Sequence, residues 1–172
     1  MHKEDQKWSK YDYEFKGGKN NSYVFDTNHD IIYEVKFKPS SYLFNEQDEF
    51  SNQVYEMVIA IVERKNVEDK VPPDSLIMFT IADIVTDFFK KRERIIVYIC
   101  DTADARHLAR ARKFGLWFEK FKTTQFMKVD ASIIDEMGVI YMNALILHRE
   151  NPYFVEIIDA FRKVTGGYTE DK

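Results

Sequence analysis

The sequence predicts a single α+β domain on a curved, mixed and mainly antiparallel sheet, with the element order β-β-β-β-α-β-α-β-β-α. Three patterns carry this reading. The first third of the chain alternates apolar and polar residues with the two-residue period of half-buried strands. Two amphipathic helical segments then bracket a run at 95–100 that is apolar throughout, and two further strand-like runs and a helix close the chain.

Residues 1–10 read as a polar arm, 11–165 as the domain and 166–172 as a tail. Tyr11, Tyr13 and Phe15 alternate with Asp12, Glu14 and Lys16, and "GGKNN" supplies a turn. "SYVFD" and "IIYEVKFK" continue an antiparallel meander up to Pro39. "SSYLFNEQDEFSN" is a polar connector with aromatic anchors. "VYEMVIAIVER" is rich in β-branched residues and reads as a fourth strand, with a helix as the alternative.

Pro72 and Pro73 exclude a helix interior, and Asp74 is a good N-cap for the segment that follows. Ile77, Ile81, Ile84, Val85 and Phe88 form its apolar stripe, with Asp83, Asp87 and Lys91 on the other side, and "KKRER" places cations at its C-terminus. The run at 95–100 is the central strand, covered on both faces. Residues 102–121 form the second helix, with Leu108, Trp117 and Phe121 expected in the core. "TTQFMKVDASII" and "VIYMNALILHR" form a hairpin through "DEMG". Asn151 and Pro152 open the last helix, which stops at Gly166–Gly167.

Composition narrows the function. The chain of 172 residues carries one cysteine, so an internal disulfide framework and a multi-cysteine zinc site are excluded. There is no signal-like N-terminus and no run suited to crossing a bilayer, so a soluble cytoplasmic protein is expected. The net charge of −4 gives no global attraction to nucleic acid, which is not expected as a partner. His2, His29, His107 and His148 show no metal-ligand spacing, and no metal is expected.

The helix at 102–121 holds the candidate contacts. Arg106, Arg110 and Lys113 recur on one line, with Arg112 to the side and His107 beside them, a stripe able to meet a phosphate-bearing ligand or an acidic partner. The plainer reading is a solvated face balanced by Asp101, Asp104 and Glu119. Cys100, at the end of a strand before a helix, is a candidate nucleophile with His107 as base, but Asp101 and Asp104 oppose the thiolate.

From "YDYEFK" through "YVFDTNHDIIYEVKF" to "CDTADARHLARARKFGLWF", nearly the whole chain resembles a family of uncharacterised bacterial proteins. Residues 54–148 are similar in element order to the second half of GNAT-type N-acetyltransferases, and "ARHLARARKFGLWFEKF" is similar to that family's A-x-x-x-Y-x-K-x-G-F helix ending. The resemblance implies an acyl-CoA ligand, held by glycine-rich backbone at a helix start. Here that loop is "ERKNVEDKVPPDS", with no glycine between Gly18 and Gly115. Asp74 would repel a pyrophosphate, and Phe118 falls where the family often has a tyrosine general acid. The expectation is a diverged GNAT-like ligand-binding domain with weak or no acyltransferase activity and no resident cofactor. Coenzyme A would bind only if side chains such as Arg64, Lys65 or Lys70 replaced the backbone cradle. The alternative is a non-enzymatic module that binds protein or nucleic acid through the basic face of 102–121. Self-association is left open.

Overall fold

The computed structural model describes residues 9–65, 74–99, 107–121, 124–134 and 136–165, with side chains at 107–111, 133 and 134 outside the description. It contains β1 (Tyr13–Gly17), β2 (Ser22–Asp26), β3 (Ile31–Pro39), β4 (Val54–Arg64), α1 (Ser75–Phe88), β5 (Ile95–Ile99), α2 (His107–Phe121), β6 (Phe126–Ile134), β7 (Ile140–His148) and α3 (Phe154–Val164). Two 3-10 turns, Ser41–Leu43 and Ser51–Gln53, shape the connector between β3 and β4. The order matches the sequence reading, and "VYEMVIAIVER" is a strand.

The strands form one open sheet in the order β1-β2-β3-β4-β5-β7-β6. β4 and β5 pair in parallel, and every other neighbouring pair is antiparallel. α1 and α2 pack on one face, over Tyr23, Phe25, Val35, Phe37, Ile96 and Ile146. α3 and the connector cover Ile95, Val97, Leu145 and Leu147 on the other. The alternation of Ile95, Ile96 and Val97 between these clusters is why β5 reads as apolar at every position.

Local chemistry fixes the helix ends. Asp74 accepts the Leu76 N–H at 2.9 Å, capping α1 as expected. Arg94, from "KKRER", donates to the Phe88 carbonyl at 3.0 Å and lies 4.2 Å over the Phe88 ring, closing the other end. Asn151 does not cap α3 directly. Its Oδ1 accepts the Tyr153 N–H at 2.9 Å, which makes a turn ahead of the helix that starts at Phe154.

Three expectations change. Phe15 is exposed, at 56%, because β1 lies at the sheet edge and its register shifts between Phe15 and Gly17. Trp117 and Phe121 are half-buried, since α2 leaves an apolar cleft between itself and α1; Phe114 is the α2 side chain described as buried. Asp83 and Asp87, set opposite the apolar stripe, are only partly exposed, because Tyr13 of β1 and Tyr23 of β2 reach them. Leu108 lies where side chains are not described, and the expected helix start at Thr102 is outside the described residues.

Candidate functional site

In an open sheet with helical crossovers, ligands are held beyond the carboxyl ends of parallel strands. This sheet has one such pair. Val54, Tyr55 and Glu56 pair with Ile95, Ile96 and Val97, and there the pairing stops although both strands continue. β5 remains bonded to β7 through Tyr98 and Ile99, and β4 remains bonded to β3 out to Arg64. Beyond Glu56, the β5-facing edge of β4 meets no other strand among the described residues. The two strands therefore part beyond Glu56 and Val97.

The entrance of α1 is closed by its own chain. The Tyr11 hydroxyl donates to Asp74 Oδ2, and Tyr11 Oη accepts the Asn28 N–H at 3.2 Å. The Tyr11 N–H donates to Thr80 Oγ1 at 2.9 Å. Burial, and then the hydrogen bond to Asp74, push the Tyr11 hydroxyl above the ordinary tyrosine value. A carboxylate already occupies the place where a helix N-terminus would meet a phosphate, and it repels a second anion.

A small apolar cleft of about 70 Å³ runs between α1 and α2, lined among others by Ile81, Val85, Phe114, Trp117 and Phe118. Phe118 lines it and has no proton to give. Lysines border these aromatics, with Lys113 5.0 Å from the Trp117 ring centre and Lys120 5.5 Å from that of Phe79. Lys128 lies beneath Gly115, its side chain 9% exposed, paired with Asp130 and 5.9 and 6.0 Å from the Phe114 and Phe118 rings.

Of the residues singled out in the sequence, Arg112 and Lys113 are exposed on α2. His107 and Arg110 belong to α2 but their side chains are not described, and Cys100, Arg106 and Lys70 lie outside the described residues. Arg64 is exposed at the end of β4, and Lys65 pairs with Asp26 at 3.7 Å. His148 accepts the Glu150 N–H on Nδ1 at 3.0 Å, a local turn contact. Among the described residues no group of three His, Cys, Asp or Glu side chains could hold a metal ion, and no helix is long and apolar enough to cross a membrane.

Two features escape sequence reading. A hollow of about 390 Å³ lies between the connector and α3, with Phe44 and Phe50 as its floor and Asp48, Glu156 and Asp159 at its rim. The second is the set of tyrosine hydroxyls on α1 carboxylates, Tyr13 to Asp83 and Tyr23 to Asp87, both at 2.8 Å. The spacing of Asp83 and Asp87 by one helical turn was the visible half of that signal.

Residues 73–163, more than half of the 172, match the model of DUF6169, a family of unknown function. The chain belongs to DUF6169. Within it, the DUF6169 segment runs from the N-cap of α1 to the end of α3, taking in β5, α2 and the β6–β7 hairpin. The resemblance expected along nearly the whole chain is thus found in its second half, and β1–β4 lie outside the DUF6169 match. No curated protein and no solved structure matches the chain.

Proposed function

We propose that this DUF6169 member is a cytoplasmic, diverged GNAT-like ligand-binding domain that takes an extended, amide-bearing ligand where β4 and β5 part, with weak or no acyl transfer. The observation that carries the reading is the pairing of β4 with β5 over three residues and its end after Glu56. The backbone edge beyond offers N–H and C=O groups to an extended chain, as an exposed strand does to a peptide. An acyl-pantetheine arm has that chemistry. The pyrophosphate of coenzyme A does not fit beside Asp74, and Phe118 cannot serve as a general acid.

Calorimetric titration with acetyl-pantetheine and with acetyl-CoA tests this. Acetyl-pantetheine should bind at least as well as acetyl-CoA, and common amines should not be acetylated above background. Absence of heat with both ligands, or much tighter binding of acetyl-CoA, would reject the reading.

A second reading, a module that binds a protein or nucleic acid through α2, is favoured by Leu116, which is 65% exposed close to the exposed Arg112 and Lys113. If a polyanion binds there, joint replacement of Arg106, Arg110 and Lys113 by Gln should flatten the salt dependence of binding by about one unit per lost phosphate contact. The acidic whole favours no nucleic-acid binding at physiological salt, and measured affinity lost in the triple variant would promote this reading instead.

A further inference from the structure

The two edges of the sheet are built differently. β1 is five residues long, carries Glu14 and Lys16, and shifts register against β2 between Phe15 and Gly17. A short, charged and bulged edge discourages a further strand. β6 is nine residues long, contains neither proline nor glycine, and pairs with β7 in unbroken register from Phe126↔His148 to Ile134↔Ile140. Just ahead of it, the Arg149 N–H donates to the Gln125 carbonyl at 2.7 Å. Bonded and non-bonded pairs alternate in an antiparallel ladder. The odd-numbered residues therefore direct their backbone groups to β7, and Phe126, Lys128, Asp130 and Ser132 turn theirs outward. Among the described residues no strand takes them up.

We infer that a second copy of this chain pairs antiparallel with β6 across a two-fold axis. Charge selects the register. An axis through Lys128 opposes that lysine to itself, and one through Asp130 opposes two carboxylates. An axis through Val129 sets Lys128 of each copy against Asp130 of the other, in pairs whose outward N–H and C=O groups meet. It also sets Val129 against Val129 and Met127 against Ala131, so each strand keeps its helix-facing sides matched to the other's. Asp130, with its side chain 62% exposed, would then stand opposite Lys128 of the other copy as well as beside its own.

Sedimentation of the full chain tests the pairing, which does not depend on the ligand reading. The chain should sediment at twice its mass of 20.5 kDa. Ser132→Pro removes an outward N–H without touching the β7 ladder, a position where an edge strand tolerates proline, so this variant should keep its circular dichroism and sediment as a single chain. Asp130→Lys, on an exposed side chain, sets lysine against Lys128 and should weaken association at least tenfold, most at low salt. A full chain that remains at 20.5 kDa, or a dimer undiminished in either folded variant, overturns the inference.

Discussion

The Tyr23 hydroxyl donates to Asp87 Oδ2 at 2.8 Å, and so ties the N-terminal meander to the last turn of α1. Tyr13 on Asp83 repeats the arrangement one helical turn earlier, and Tyr11 on Asp74 repeats it at the helix entrance. The family match begins at α1, so these three bonds join the strands outside it to the segment within it.

The linkage gives stability a defined response to pH. Burial first, and then the aspartate partners, hold the Tyr13 and Tyr23 hydroxyls well above the ordinary value of 10.0. A raised folded value means that their contribution is fully present below pH 10 and is lost as pH rises beyond it. Asp87 is held below its ordinary 3.8, chiefly by the hydrogen bond from Lys90, so its contribution is present above that value and fades as pH falls through the depressed one. Melting temperature against pH should fall at both ends, and tyrosinate absorbance should appear together with unfolding. Tyr23→Phe should cost about 1.5–3 kcal/mol, as for a hydrogen bond to a charged group. An unchanged alkaline limb in that variant would show that Tyr23 is not responsible.

Asp74 caps α1, accepts the Tyr11 hydroxyl and sets a negative charge at the helix entrance. Asp74→Ala loses the α1 cap and the acceptor of the Tyr11 hydroxyl together and should cost about 2–4 kcal/mol, whereas Asp74→Asn keeps a good cap and an acceptor and removes the charge. The asparagine variant should therefore melt nearer the native chain than the alanine variant does. It should also bind acetyl-CoA more tightly than the native chain, since the repelling carboxylate is gone. Equal acetyl-CoA affinity before and after would mean that the pyrophosphate never approaches this helix.

Aromatic truncations should rank by enclosure. Phe88 is fully buried and stacks on Phe37 with ring centres 3.9 Å apart, so Phe88→Ala should cost about 3–5 kcal/mol. Trp117 is half-buried and borders the open cleft, so Trp117→Ala should cost less than about 3 kcal/mol. Denaturant midpoints that reversed this order would place α2 deeper in the core than the cleft allows.

What could be foreseen from the sequence divides along range. The Asp74 cap, the Arg94 closure and the doubly covered Ile95–Ile99 strand follow from residues near one another in the chain, where spacing fixes geometry. Helical period sets Asp83 and Asp87 opposite the apolar stripe but cannot say that Tyr13 and Tyr23, 70 and 64 residues earlier, reach them. The point where β4 and β5 cease to pair is hidden for the same reason, since it depends on the relative placement of two strands separated by a helix. Of the basic stripe, Lys113 is the member whose side chain is described, and it lies over Trp117.

Gly115 tests how α2 is seated. Gly115 lies inside α2, which continues to Phe121. Its backbone is helical rather than left-handed, and a methyl group placed on it would meet Lys128 Nζ at 3.9 Å, ordinary van der Waals contact. A glycine inside a helix costs about 0.5–1 kcal/mol relative to alanine. Gly115→Ala should therefore raise the denaturant midpoint by that amount, with the Lys128 ammonium still held near the Phe114 and Phe118 rings. Gly115→Leu should reverse the gain, because its longer side chain has to displace an amine with little exposure and few other places to go. If alanine instead destabilised the chain, α2 would have to lie closer to β6 than the Gly115 to Lys128 spacing describes.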